Sequence, residues 1–245
     1  MGQVLAVVSG KGGTGKTSLC AAVACCLAKM QQRVLCIDAD AGLRNLDISL
    51  GMSQEPALPF TAVMSGEYAL DKAAQHPKFE YLRFLTAPVT LQPEELDAEA
   101  FYAMIRQARE QFDWVLIDAP AGVGAGFQLA VREADIAMVV TGGDPAALRD
   151  GARTAQALEE ISEASAKIVV NRIRRKLFQK LRFTVDDCMD TIGLPLLGIV
   201  PEDEAVYLCA AAGKPLKRSG KKGALEAAQH IALRLVGKKA ALLDL

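Results

Sequence analysis

The 245-residue sequence predicts an α/β fold, with a doubly wound, mostly parallel sheet and helices on both of its faces. Two observations support this prediction. Short, almost continuously apolar runs alternate along the chain with longer segments of helical periodicity. Apolar runs of this kind are typical of strands that are covered on both faces, and their alternation with helices implies right-handed crossovers between parallel strands.

The length suits a single domain, because α/β domains of roughly 200–250 residues are common. Half of the residues, 51%, are hydrophobic, which is enough to bury a sizeable core. We therefore expect residues 1–245 to form one domain, in which residues 224–245 are a C-terminal helix and a short tail.

Seven segments are predicted as strands, because each is short, apolar and followed by a turn or a helical pattern. In chain order they are residues 4–9, 33–38, 81–86, 114–118, 136–141, 167–171 and 196–200. Six segments between and after them are predicted as helices. They are residues 18–31, 93–111, 145–164, 177–191, 202–212 and 224–236.

Charge and composition narrow the classes of function. The 28 Lys and Arg residues nearly cancel the 29 Asp and Glu residues, so contact with a nucleic acid would need a local basic patch. No signal-peptide pattern and no apolar run of about 18 residues is present, which leads us to expect a cytoplasmic protein. The six cysteines lack metal-binding spacing and are predicted to be buried, reduced side chains.

A phosphate-binding loop is predicted at residues 10–17, which read Gly-Lys-Gly-Gly-Thr-Gly-Lys-Thr and match G-x-x-x-x-G-K-[ST]. A predicted strand precedes the loop and a predicted helix follows it, as this motif requires. Lys16 would neutralise the β- and γ-phosphates of ATP, and the Thr17 hydroxyl would bind Mg²⁺. The nucleotide-binding residues predicted here are Gly12, Gly13, Thr14, Gly15, Lys16, Thr17 and Ser18. A glycine-rich turn without a ligand is the alternative.

Carboxylates for the metal and for the attacking water are predicted at two strand ends. Asp118 closes an apolar run, as a Walker B aspartate does, and is predicted to bind the metal. The next residue is Ala119 and not a glutamate, so the group that orients the water must come from elsewhere. Asp40 is the candidate for that role, and Asp38 for support near the metal. Turn or capping acids are the alternative interpretation.

Together these segments resemble the MinD/ParA family of deviant Walker A ATPases. The mark of that family is a second lysine early in the P-loop, in the pattern K-G-G-x-G-K-T, which residues 11–17 match. Residues 38–47 resemble switch I of the MinD group, residues 118–122 resemble switch II, and residues 200–203 resemble the segment near the adenine. The similarity extends from about residue 4 to about residue 215.

The resemblance implies an ATP hydrolase in which Mg-ATP lies between two monomers and Lys11 reaches the partner's phosphates. The implied catalytic residues are thus Lys11, Lys16 and Asp40, and the implied adenine contacts are Asn171, Pro201 and Asp203. The resemblance also implies regulatory partners of the MinC/MinE kind and a role in positioning the cell-division septum.

Other functions stay open on the sequence alone. One is a ParA-like ATPase that segregates DNA or cargo, and another is a small-molecule enzyme of the dethiobiotin synthetase type. Peripheral contact with the inner face of the cell membrane is a further alternative, through the tail at 238–245 or the basic segments 172–182 and 214–222. Those basic segments could equally contact DNA or be solvated surface.

Overall fold

A computed structural model of the protein describes residues 1–41, 44–89, 91, 93–181, 184–220 and 222–243. Within these residues, eight strands form one sheet in the order β3-β4-β2-β5-β1-β6-β7-β8. The strands are β1 (Gln3–Val8), β2 (Val34–Asp38), β3 (Ala74–Gln75), β4 (Leu82–Leu85), β5 (Trp114–Asp118), β6 (Ile136–Thr141), β7 (Ser165–Ile173) and β8 (Leu196–Pro201). Every neighbouring pair is parallel except β3 and β4.

Ten α-helices and two short 3₁₀ turns, Leu70–Lys72 and Pro93–Glu95, connect the strands in the described part of the chain. The helices are α1 (Lys16–Lys29), α2 (Leu46–Leu50), α3 (Phe60–Met64), α4 (Ala98–Gln111), α5 (Ala125–Arg132), α6 (Pro145–Ile161), α7 (Arg175–Leu181), α8 (Val185–Ile192), α9 (Glu204–Ala211) and α10 (Ala224–Leu235). None of the described helices is both long enough and apolar enough to cross a membrane.

Two hydrophobic clusters cover the two faces of the sheet. Alternate residues of β1 point into different clusters, because successive side chains of a strand lie on opposite faces. Val4 and Ala6 join one cluster, which α3, α4, α5, α6 and α8 cover. Leu5 and Val7 join the other, which α1, α2 and α10 cover. The predicted doubly wound, mostly parallel fold is therefore confirmed.

All seven predicted strands are present within two residues at each end, but some predicted helices were wrong in extent. The helix predicted at 177–191 is two helices, because Thr184 begins α8 with a capping box that it forms with Asp187. The helix predicted at 93–111 begins instead at Ala98, where the Asp97 side chain accepts a hydrogen bond from the Ala100 N–H at 3.1 Å. Helices α2, α3 and α5 and strand β3 were not predicted.

The C-terminal segment packs on the body of the protein. Ala228 and Ala232 of α10 are fully buried, and beyond the helix Leu243 lies in the same cluster. The Arg234 guanidinium also donates to the Ala240 carbonyl at 2.8 Å. The last residues of the tail considered as a membrane contact, Asp244 and Leu245, lie outside the described residues, as do Gly42 and Leu43 of the switch I resemblance.

The cysteines are free, and five of the six are buried as predicted. Cys209 is the exception, because it lies on α9, a helix without a single buried residue. The prediction that Cys209 is buried was therefore wrong.

Candidate functional site

The candidate site lies at the carboxyl edge of the central strands. Asp118, the last residue of β5, is in register with Asp38 on one side and with Val7 of β1 on the other. The P-loop continues from the end of β1 and leads into α1. Parallel strands thus bring the glycine-rich loop and both predicted metal-site carboxylates to one edge, where open α/β sheets bind ligands.

The P-loop backbone depends on glycine at positions with positive φ. Gly13 has φ 78° and Gly15, which precedes α1, has φ 84°. An added Cβ at Gly12 or Gly13 would meet no atom within 4 Å, so the loop is open on that side. An open loop of this kind at the start of a helix can receive an anion, since the helix N-terminus presents free N–H groups and a positive dipole.

Lys16 and Asp118 form a buried ion pair beneath this loop. The Lys16 Nζ lies 2.7 Å from the Asp118 Oδ1, and the two side chains are only 7% and 1% exposed. Burial raises the pKa of Asp118, although Lys16 and a hydrogen bond with the Thr17 side chain oppose that shift. The three residues predicted for phosphate and metal are therefore in mutual contact.

Asp38 organises the segment that follows β2. Its Oδ1 accepts the Asp40 N–H and its Oδ2 accepts the Leu46 N–H, both at 3.1 Å. Burial, with the nearby Asp118, raises the pKa of Asp38 to about 7. Because backbone donors occupy both oxygens, the carboxylate holds Asp40 and the first residue of α2, which is consistent with a supporting role.

Asp40 lies next to the same cluster but is only half-buried. Burial raises the pKa of Asp40, Lys16 opposes the shift and Asp118 adds to it. The side chain is thus close enough to Lys16 and Asp118 to share their electrostatic field, while it keeps access to solvent. A carboxylate in this position can accept a proton or orient a water molecule.

Lys11 stands apart from the buried cluster. Its Nζ lies 3.5 Å from Asp144, and the two side chains are 38% and 60% exposed. Asp144 also caps α6 by accepting the Ala147 N–H at 3.0 Å, which is the first cause of its lowered pKa, and Lys11 contributes as well. An exposed ion pair of this kind contributes little to stability, so Lys11 can leave it at low cost.

Two clefts flank the P-loop on either side of Asn171 and Arg172. The larger, about 690 Å³, is lined by the predicted nucleotide-binding residues Gly15, Ser18, Asn171, Pro201 and Asp203. The smaller, about 420 Å³, is lined by Lys11, Gly12, Gly13 and Thr14. The size and mixed polarity of the larger cleft suit a nucleoside.

Asn171 is held on the P-loop. Its Nδ2 donates to the Thr14 carbonyl at 2.7 Å, and its Oδ1 accepts the Arg172 N–H at 2.9 Å. Each end of the amide keeps further hydrogen-bonding capacity, and Asn171 lines the larger cleft, so the adenine contact that the resemblance implies stays a prediction.

Asp203 is one of the residues that line the larger cleft. Burial alone would raise the pKa of Asp203, but hydrogen bonds from Ser219 at 2.6 Å and from the Ala224 N–H at 2.9 Å outweigh it and lower the pKa. Asp203 also begins α9 by accepting the Ala205 N–H. The carboxylate thus ties the loop before α10 to the start of α9.

Sequence reasoning missed several residues that line these clefts, among them Tyr207 and Arg172. Tyr207 lines the larger cleft from α9, and Arg172 lines both clefts. Tyr207 could have been suspected as an aromatic residue shortly after the segment near Pro201. Arg172 was considered only as part of a basic segment, because its contact with the P-loop depends on backbone geometry.

The chain is similar in sequence to known nucleotide-binding proteins of cell division. The family profile described as "CobQ/CobB/MinD/ParA nucleotide binding domain" matches residues 5–216. The septum site-determining protein MinD of Synechocystis sp. is 35% identical over 247 residues, which cover 100% of this chain and 93% of that protein.

Solved structures give the same picture. The chain is similar to the MinC:MinD cell division protein complex of Aquifex aeolicus, with a TM-score of 0.89, 32% identity and 98% coverage of each chain. It is also similar to the septum site-determining protein MinD complexed with Mg-ADP from Pyrococcus horikoshii OT3. There the TM-score is 0.82, with 27% identity and 96% coverage of each chain.

Proposed function

The chain belongs to the CobQ/CobB/MinD/ParA family of nucleotide-binding domains, and from that premise we propose that it is a MinD-type ATPase switch. Mg-ATP binding would join two monomers, and hydrolysis would separate them, so that the cycle positions the cell-division machinery. The observation that carries this proposal is the pair of P-loop lysines in contrasting settings. Lys16 is buried against Asp118, whereas Lys11 is exposed and only weakly held.

Thr17 and Asp118 fit a magnesium ion, because a hydroxyl and a carboxylate already lie side by side. The described residues contain no group of three or more His, Cys, Asp or Glu side chains that could hold a metal. Phosphate oxygens and water would therefore complete the coordination, as is usual for Mg²⁺ at phosphate sites. Bound Mg²⁺ supplies neutralisation of phosphate charge.

Lys16 would exchange Asp118 for phosphate oxygens when the nucleotide enters, since its position at the first turn of α1 faces the loop. Asp38 would hold the adjoining segment in place through the Asp40 and Leu46 N–H groups. Asp40 would then orient the attacking water. This assignment is supported by its partial exposure and by the absence of a carboxylate at Ala119.

Lys11 would act in the dimer. A cation that arrives with the second monomer stabilises the charge that develops on the phosphoryl oxygens during transfer. Its partner in the monomer, Asp144, is itself exposed and already serves as a helix cap, so breaking that contact costs little. Hydrolysis would thereby require dimerisation.

Regulatory partners are the next part of the proposal. The Aquifex aeolicus structure is described as a MinC:MinD complex, and this chain matches it over 98% of its length. We extend that pairing to this chain as a MinC-like partner, and a MinE-like stimulator follows from the family resemblance. The matches to septum site-determining proteins favour this function over DNA segregation and over small-molecule phosphorylation.

Turnover and molar mass, measured together, test the proposal. Asp40→Ala should bind ATP, accumulate as a dimer by light scattering and lose at least about 100-fold in kcat, as expected for loss of the group that orients water.

Lys11→Ala should bind ATP within a few-fold of the wild type yet remain monomeric and inactive. Wild-type protein that neither binds ATP nor dimerises with it would refute the proposal. A Lys11→Ala protein that dimerises normally would refute the role in the dimer.

Membrane contact is proposed through one surface, which we name the α9 surface. Its centre is α9, where Tyr207 and Leu208 are 77% and 61% exposed. Exposed cations lie in the chain segments before and after α9. They are Arg172, Arg174, Arg175, Lys176 and Lys180 in and just before α7, and Lys214, Lys217 and Arg218 between α9 and α10. Arg182 and Lys221 of the two basic segments lie outside the described residues. Exposed apolar side chains together with exposed cations fit an anionic lipid surface.

A further inference from the structure

Asn171 and Arg172 are consecutive residues that contact consecutive carbonyls of the P-loop. We infer that they form a clamp that fixes the peptide planes of the loop, and that Arg172 is a positioning residue for nucleotide binding. This inference rests on the proposed function of the P-loop as the nucleotide site. It concerns how the loop keeps its shape, which the motif alone does not explain.

The clamp begins with a bulge at the end of β7. The pairing of β7 with β8 shifts register between Val170 and Ile173, so the two residues between them leave the regular ladder. Arg172 has φ 57°, a left-handed conformation that is uncommon and mildly strained for a residue with a side chain. The bulge turns both side chains toward the P-loop, which regular strand geometry would not allow, because successive residues would point to opposite faces.

The contacts explain what the clamp does. Asn171 Nδ2 donates to the Thr14 carbonyl at 2.7 Å, and Arg172 Nη1 donates to the Gly13 carbonyl at 3.0 Å. In a trans peptide the C=O and N–H groups point in opposite directions. Holding these two carbonyls therefore directs the N–H groups of Thr14 and Gly15 to the other side of the loop, where N–H groups of P-loops bind phosphate oxygens.

Arg172 also connects the P-loop with the larger cleft. Its Nη2 lies 3.4 Å from the Glu202 Oε1, and Glu202 lies between Pro201 and Asp203. Arg174 binds the same carboxylate through Nε and Nη2. Within the described part of the chain, the Arg174 guanidinium donates to Glu202 and not to the P-loop, whereas the Arg172 guanidinium contacts both. Arg174 is thus a matched control that shares the charge, the exposure and the Glu202 partner.

The test compares Arg172→Met, Arg172→Lys and Arg174→Met by titration with ATP and with ADP. Arg172→Met removes the donor and should weaken both affinities roughly ten-fold, the effect of losing one hydrogen bond from a charged group. Its KM for ATP should rise by the same factor, while kcat changes by less than about three-fold. Arg172→Lys keeps a donor and should recover most of the affinity. Arg174→Met should stay within about two-fold of the wild type.

The outcomes separate this inference from the proposed function. Wild-type protein that fails to bind ATP overturns both. Wild-type binding together with equal effects of Arg172→Met and Arg174→Met, or with no effect of either, overturns the clamp alone. If Arg172→Met does not fold, Arg172→Gly replaces it, because glycine accepts φ 57° without strain. Tight ATP binding by folded Arg172→Gly would then overturn the clamp.

Discussion

At the scale of single residues, the site holds two opposite charges, Lys16 and Asp118, in an environment that is almost closed to solvent. Desolvating both ions is costly, and the 2.7 Å contact between Lys16 and Asp118 offsets that cost only while both partners are present. Such a pair is well suited to a site whose lysine must change partners. A phosphate can replace the Asp118 carboxylate as the partner of Lys16. Another carboxylate of the cluster could do so only by increasing the repulsion between carboxylates, which adds to the effect of burial in raising the pKa of Asp38.

Asp118→Asn should therefore be strongly destabilising, because the Lys16 ammonium stays buried without its counter-ion. We expect the free energy of unfolding to fall by about 3 kcal/mol in urea titrations without nucleotide. Asp113→Asn is the control, since Asp113 also lies 2.7 Å from a cation, Arg33, but at the surface. That change should cost less than about 1 kcal/mol. Equal losses for the two variants would contradict the burial argument.

Gly15 is a second residue whose identity is set by its surroundings. It has φ 84°, and a Cβ added there would lie 2.4 Å from the Asn171 Nδ2. Gly15→Ala must therefore strain the backbone and push Asn171 away from the Thr14 carbonyl. We expect a loss of about 2 kcal/mol in the free energy of unfolding, together with weaker ATP binding.

The matched variant for this prediction is Gly12→Ala. Gly12 belongs to the same loop, but its added Cβ would meet no atom within 4 Å, and its φ is not positive. Its unfolding free energy should stay within about 0.5 kcal/mol of the wild type. If both variants lose the same stability in denaturant titrations, general loop rigidity and not the Asn171 contact is the cause.

At the scale of elements, the β3–β4 hairpin is attached to α2 through one buried histidine. His76 Nε2 contacts the Leu50 carbonyl at 2.9 Å, and its Nδ1 accepts the Lys78 N–H at 2.9 Å. Burial lowers the pKa of His76 and Lys78 lowers it further, whereas the Leu50 carbonyl and Glu55 oppose the shift. The neutral ring is thus the form that this junction accommodates.

This junction predicts a pH effect of defined sign. The folded protein binds the His76 proton less tightly than the unfolded chain, whose histidine pKa is about 6.5. The contribution of His76 is therefore constant above about pH 7 and becomes destabilising as the pH falls below about 6.5. His76→Gln can still donate to Leu50 but does not titrate. The thermal midpoint of the wild type should fall relative to this variant between about pH 7.5 and 5.5, and a constant difference would rule the effect out.

The central strands could be predicted from sequence because burial on both faces leaves a nearly continuous apolar run, as in β5 and β2. The break between α7 and α8 could not be predicted, since apolar residues continue at helical spacing across it. Only the Thr184 cap marks the start of the second helix. The P-loop could be predicted from its motif, and Asp38, Asp40 and Asp118 from their positions at or just after strand ends. The clamp of Asn171 and Arg172 could not be predicted, because a β-bulge and a positive φ at Arg172 have no characteristic pattern of residues in the sequence.

At the scale of the whole molecule, the net charge of −1 conceals an uneven surface. The α9 surface combines exposed apolar side chains of α9 with exposed cations from the segments before and after that helix. Glu202 is paired with two of these cations, Arg172 and Arg174. A phosphate ridge of DNA would leave Leu208 without an apolar partner, whereas a lipid interface would bury it. The combination of cations with protruding apolar side chains therefore favours an anionic membrane.

Sedimentation with vesicles tests this surface. Asp40→Ala protein with ATP should pellet with vesicles that contain anionic lipid and remain in the supernatant with neutral ones. Adding Leu208→Ser should weaken the binding by about ten-fold, because an exposed apolar side chain that does not line the nucleotide cleft no longer enters the interface. Val89→Ser is the control, since Val89 is equally exposed, at 67%, but lies outside the α9 surface.

Raising the salt from about 0.1 M to about 0.5 M should release the protein by screening the cations. Unchanged pelleting of the Leu208 variant would exclude the α9 surface. Salt-sensitive binding to DNA in place of vesicles would assign the same cations to nucleic acid.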